Sequence, residues 1–110
     1  MKWKCSICGY LHSGDDAPEA CPKCGAAKEK IGKLEQAQSD LVERAGFTNQ
    51  LHMDLVNMLE NVVELAEDGI EDNLDPGCVS IFMKAKDQAL ILKQSIKAEL
   101  AAHVSKGKWG

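Results

Sequence analysis

Two short cysteine pairs constrain this chain more than anything else in it. They read Cys5-Ser6-Ile7-Cys8-Gly9 and Cys21-Pro22-Lys23-Cys24-Gly25, two CxxCG units with twelve residues between Cys8 and Cys21. Two sulfurs separated by two residues can grip one ion while amides of the tight turn point back at them. The glycine after each pair suits the left-handed backbone such a turn needs. Cys5, Cys8, Cys21 and Cys24 are therefore expected to ligate one metal in a soft, four-sulfur, tetrahedral site, with iron or zinc as its occupant. The ligands alone do not separate the two metals. Iron between four thiolates can change oxidation state with its ligands unchanged and pass one electron, whereas zinc would make the module a structural clip. Four protein ligands leave no open position, which argues against hydrolysis at this site.

A module of this length cannot bury a useful core alone, so ligation is expected to supply much of its folding energy. Five cysteines would suit disulfides in a secreted protein, but two CxxC pairs at this spacing fit metal binding in a reducing compartment better. The formal charge is −4, unevenly spread. Residues 1–33 carry six Lys against four acids, and residues 34–110 carry seven Lys/Arg against thirteen. The chain as a whole gives no nucleic-acid footprint. No apolar run follows Met1 and none later approaches eighteen residues, so neither a signal peptide nor a membrane span is expected, and the reading is a soluble cytoplasmic protein.

The residues around the ligands are more specific than the ligands. Trp3-x-Cys5-x-x-Cys8-Gly9-Tyr10-x-His12-x-Gly14, then Ala17-Pro18-Glu19-x-Cys21-Pro22-x-Cys24-Gly25-Ala26 and Lys28, resembles the short rubredoxin-like module of the rubrerythrin family over residues about 2–30. Rubredoxins proper have a much longer insertion between the knuckles. The resemblance implies one Fe(Cys)4 centre per chain, transferring single electrons, with zinc as the alternative metal. Ile31 departs from the Phe common at that position in the family. Lys2–Lys4 and Tyr10–His12 are expected as short strands around the first knuckle. Trp3, Ile7, Tyr10, Leu11 and Ala17 are the apolar material available to cover the sulfurs, a cover thin enough to leave one edge near solvent. His12 reads as a loop residue beside the centre, more simply polar surface than a tuning hydrogen bond.

From Lys33 the period becomes helical. Leu34, Ala37, Leu41 and Ala45 recur at three and four, with Gly46 or Thr48 as a candidate interruption. Phe47, Leu51, Leu55, Met58, Leu59, Val62 and Leu65 continue the pattern, with an end expected near Asp68-Gly69 or Asp72-Asn73. Asp75 is an expected N-cap with Pro76 at the first helical position. The last helix carries Phe82, Ala85, Ala89, Leu92, Ile96 and Leu100/Val104 and should fray near Gly107. Met53/Val56/Val63 and Met83/Leu90/Ile91 widen the apolar faces. The expected fold is thus a knuckle module with short β-strands (residues 1–31) followed by a helical hairpin (32–110). Pairing two hairpins would make a four-helix bundle, so a homodimer through the helices is expected. The alternative has residues 33–46 folding back as a third helix.

Rubrerythrin-type proteins join such a module to a ferritin-like bundle whose two-iron site needs two Glu-x-x-His pairs. Here His52 follows Asn49 and His103 follows Leu100, while Glu99 and His103 stand four apart. Glu60, Glu64, Glu67 and Glu71 form a ladder read as a solvated stripe. His52 and His103 read as boundary residues of the apolar stripes, with a metal or haem between helices as the sharper alternative. Cys78, in the first turn of the last helix, reads as inert, although the helix dipole would lower its pKa. The functional expectation is a one-electron carrier serving redox partner proteins, without activity of its own. A zinc-stapled interaction protein is the alternative.

Overall fold

The computed structural model describes residues 1–110. Three short strands open the chain: β1 (Lys2–Cys5), β2 (Leu11–Ser13) and β3 (Ile31–Lys33). They form an antiparallel sheet in the order β2-β1-β3. Trp3 sits opposite His12 on one side and Lys33 on the other, and Cys5 sits opposite Ile31. A 3₁₀ turn at Lys28–Lys30 leads into β3. The third strand was not foreseen: Ile-Gly-Lys has no readable period of its own, and only the free edge of β1 makes it a strand.

Two long helices follow, α1 (Gln36–Asp72) and α2 (Pro76–Ser105). α1 passes through Gly46 and Thr48 without a break, so neither interrupts it and residues 33–46 do not form a separate third helix. A mid-helix glycine costs roughly 1 kcal/mol, little against a 37-residue helix with Val42, Ala45 and Asn49 buried on both sides of it. The turn behaves as read. Asn73 takes a positive φ of 49°, where a short polar side chain is tolerated. The Asp75 carboxylate accepts the Cys78 amide at 2.7 Å, with Pro76 in the first turn. Neither helix is long and apolar enough to cross a membrane.

Packing divides the chain into two compact units, residues 1–46 with 107–110, and residues 47–106. The core of the first gathers Cys5, Ala17, Cys21 and Ile31, with Trp3, Cys8 and Ala26 against them. In this unit Lys2 reaches Glu43 at 3.1 Å, and the Lys2 carbonyl accepts the Leu34 amide at 2.9 Å. At the other end of the chain, Gly110 lies so close to Leu11 and Val42 that a Cβ there would overlap the Leu11 side chain.

The second unit is an antiparallel helical hairpin. Asn49 meets His103, Glu60 meets Lys93, and Glu67 meets Lys86, so positions on α1 rise as those on α2 fall. Its core is Leu59, Val63, Ala89 and Ile96, flanked by Val56 and Leu100. The apolar face differs from the sequence expectation. Leu51, Leu55, Met58, Val62 and Leu65 are exposed, whereas Leu59, Val63 and Ala66 are buried. Both sets repeat at four and three, so periodicity alone could not tell which one meets α2. Small residues decide it: Ala66 and Ala89 let the helix axes approach, and Gly69 takes the Phe82 ring directly on its backbone. Gly69, read as a possible helix end, is instead a close approach inside the helix.

Candidate metal centre

The two knuckles are near copies in the backbone. Gly9 donates its amide to the Cys5 carbonyl and Gly25 to the Cys21 carbonyl, both at 2.9 Å. Both glycines have positive φ, 81° and 76°, the left-handed region where a side chain would be strained. Cys5 donates to the Tyr10 carbonyl and Cys21 to the Ala26 carbonyl, again at 2.9 Å. The first knuckle is thereby sewn between β1 and β2. The second is closed by a bridge between Ala20 and Ala27.

This arrangement aims the four sulfurs at one point. Cys5, Cys8, Cys21 and Cys24 offer sulfurs all within 4.8 Å of one another. Contacts cross between knuckles, Cys5 to Cys24 at 3.7 Å and Cys8 to Cys21 at 3.6 Å. A tetrahedron with metal–sulfur bonds of about 2.3 Å has edges of about 3.8 Å, so these sulfurs fit one ion. They are far beyond the ~2.05 Å of a disulfide, and all five cysteines are free thiols.

Backbone amides and crowding split the thiols electrostatically. Cys21 is drawn down to about 6, chiefly by the Cys24 amide and further by the Lys23 amide, against the opposing effect of burial. The Cys8 amide, with Ile7 behind it, lowers Cys5 in the same way. Cys24 receives the Ala26 amide, yet desolvation and the other three sulfurs push it up to about 12. Sulfurs this close cannot all carry charge unless a cation lies between them. The donor set therefore asks for a soft cation.

The cover is asymmetric. Cys5 and Cys21 are 1% and 3% exposed, while Cys8 is half-buried and Cys24 lies at the surface. Ile31 and Ala26 do more of the covering than expected, and Ile7 and Tyr10 less. Ile31 is buried opposite Cys5, whereas Ile7 points into solvent. Trp3 packs beside the cluster and donates its indole N–H to the Gly14 carbonyl at 3.1 Å. His12 lies in β2 rather than a loop, its ring against Gly14, where a Cβ would come within 3.1 Å of Nε2. Lys28 clamps the intervening loop, reaching Asp16 and Glu19 at 3.3 Å each. That ammonium holds Asp16 below the usual carboxylate range and is itself raised by the two acids. The loop clamp was legible only as Lys28 at the end of the motif, because its partners are nine and twelve residues away.

The remaining candidates lie elsewhere. His103 is buried rather than at a boundary, with Nδ1 2.6 Å from Asn49 Oδ1 and Nε2 3.3 Å from the Glu99 carboxylate. His52 meets it edge-on, ring centroids 6.4 Å apart. The Glu ladder is exposed, but Glu60 and Glu67 pair across the hairpin with Lys93 and Lys86. Cys78 has its pKa raised, not lowered, by the Asp75 side chain, by burial and by Asp72.

Residues 3–31 match the family model for the rubrerythrin rubredoxin-like domain. Reverse rubrerythrin-1 of Clostridium acetobutylicum is 32% identical over 82 residues, covering 74% of this chain and 40% of that protein. Rubrerythrin of Nitratidesulfovibrio vulgaris is 56% identical over 27 residues, 24% of this chain and 14% of that protein. The matched stretch thus spans less than half the length of either relative. No solved structure matches the chain.

Proposed function

Residues 3–31 form a rubredoxin-like domain of the rubrerythrin kind, and on that premise we propose that the chain is a one-electron carrier holding a single iron between Cys5, Cys8, Cys21 and Cys24. The observation that carries the reading is the pair of matching knuckles that bring four sulfurs within 4.8 Å of one another. Iron bound there supplies a ferric/ferrous couple whose ligands need not change. The chain's own residues do the rest. Amides of Ile7, Cys8, Lys23 and Cys24 favour negative charge on Cys5 and Cys21 and so would set the potential. Ile31, Trp3 and Ala17 keep water from the inner sulfurs. Cys8 and Cys24 form the solvent-side edge, where an electron would enter and leave. Because the four sulfurs complete the site, the chain would have no substrate of its own. Its partners would be a reductase and an oxidoreductase that accepts its electrons, and the helices would serve self-association or docking.

The test is metal content and colour. Protein expressed with iron supplied and purified in air should hold one iron per chain and be red, with thiolate-to-iron charge-transfer bands that dithionite bleaches and air restores. One zinc per chain and no colour, after iron-supplemented and zinc-limited expression, would replace the carrier with a zinc-stapled interaction module.

A further inference from the structure

The two knuckles repeat one turn, so Ile7 and Lys23 hold the same place in each, just before the outer cysteine. Both amides face inward: that of Ile7 bonds the Cys5 sulfur and that of Lys23 the Cys21 sulfur. Both side chains stand in water, and Ile7, at 65% exposed, takes no part in the core of its own unit. Next to them in the chain, Cys8 and Cys24 form the open edge of the centre. Tyr10, whose carbonyl accepts the Cys5 amide, adds a second exposed apolar surface. Charge around this edge is one-sided. Lys23 stands on the second knuckle, and Lys30 beside the first, its carbonyl accepting the Ser6 amide at 2.9 Å. Neither lysine is in an ion pair. Lys28 draws off two acids of the loop between the knuckles, Asp16 and Glu19, and Glu29 is the one acid between the second knuckle and β3.

We propose that the knuckle tips are the docking face for a one-electron protein whose cofactor edge is ringed by carboxylates. The inference rests on the carrier reading above and adds the sign of the partner. The loaded centre is itself anionic, because four thiolates outweigh a ferric, ferrous or zinc ion, so bare knuckles would repel an acidic rim. Two unpaired ammonium groups offset that repulsion and select carboxylates, while a lysine-ringed partner meets like charges. Ile7 and Tyr10 supply the apolar middle that such a polar rim surrounds. A patch this small makes a brief encounter rather than a permanent complex, as turnover of a carrier requires. Contact at either tip also places the partner one N–H to sulfur hydrogen bond from an inner ligand, Cys5 or Cys21.

Titrating the isotope-labelled, zinc-loaded full chain with oxidised flavodoxin, an acidic one-electron flavoprotein, tests the face by NMR without iron. At about 50 mM salt, where charges still act over more than about 10 Å, amide shifts should gather at residues 6–10, 23–25 and 30. Raising salt to about 0.5 M should weaken binding at least about 10-fold. The double variant Lys23→Glu, Lys30→Glu should weaken it at least about 10-fold at the lower salt. Lys84→Glu, Lys97→Glu makes the same charge change on exposed lysines of α2 and should weaken it less than about 3-fold. Unmoved amides away from the substituted sites show that each variant is folded. Shifts with reduced cytochrome c, whose haem edge is ringed by lysines, and none with flavodoxin would overturn the acidic sign. Shifts with neither, or shifts outside the knuckles, would overturn the docking face. So would an α2 variant that loses as much binding as the knuckle variant, since overall charge would then explain it. Iron content and colour judge the carrier separately: a red protein that ignores flavodoxin keeps its electron and loses this face.

Discussion

Cys21 and Cys24 belong to one knuckle, yet one thiol sits at about 6 and the other at about 12. Near neutral pH, then, the metal-free cluster already carries a thiolate on Cys21 while Cys24 keeps its proton. Metal binding must remove that proton, so affinity should rise with pH by about one log unit per pH unit or more between pH 7 and 9. A pH indicator should register proton release on titrating metal into apoprotein at pH 7.5. Release of none would mean Cys24 is not a ligand. Ile31 makes a second point at this scale. Its burial opposite Cys5 excludes water from the innermost sulfur, so Ile31→Ala should speed metal loss to a chelator severalfold and cost about 2–4 kcal/mol of module stability. Cys78 offers a third. Asp75→Asn keeps the cap but weakens the side-chain hydrogen bond that raises the thiol. In metal-loaded protein Cys78 should therefore react faster with a disulfide reagent at pH 8, read at 412 nm. An unchanged rate would put the raised pKa down to burial and Asp72 instead.

Elements were unequally legible. Each knuckle is a local device, its ligands, glycine and amide bonds all within six residues, so spacing revealed it. The cap at Asp75 and the turn at Asn73 are local too, and both stand where they were read. What periodicity could not reach is pairing. β3 exists because β1 has a free edge, and the seam of the hairpin is Leu59/Val63/Ala66 because small residues on both helices permit close approach. The Phe82 ring on Gly69 is the sharpest case. An added Cβ would overlap that ring, so Gly69→Ala should destabilise the hairpin by about 1–3 kcal/mol although alanine is the better helix former. A gain in thermal stability would show that Phe82 turns aside freely. Asn49 and His103 tie the far end of the hairpin. Asn49→Ala should cost about 1–3 kcal/mol by stranding a buried imidazole, and replacing both residues with leucine should recover most of it. Urea denaturation of the two single variants and the double would separate that pair from simple packing loss.

At the scale of the whole molecule, two kinds of stability coexist in one chain. The hairpin core of Leu59, Val63, Ala89 and Ile96 is aliphatic and needs no ion. Apart from Val42 and Ala45 on α1, the first unit gathers its buried apolar surface around two of the four clustered sulfurs, Cys5 and Cys21, and Lys28 adds only exposed ion pairs of the kind worth little. Metal should therefore hold up one unit and not the other. Stripping it with a chelator at mildly acidic pH should expose the amides of Cys5, Gly9, Cys21 and Gly25 to rapid hydrogen exchange. Amides from about residue 55 to 100 should keep their protection. α1 runs across the division near residue 46, so loss of protection should fade along its first turns rather than stop at the end of β3. Mass spectrometry after proteolysis reads both segments in one sample. Loss of protection in both units together would mean that the hairpin borrows its stability from the metal module, and the two-unit reading would fail.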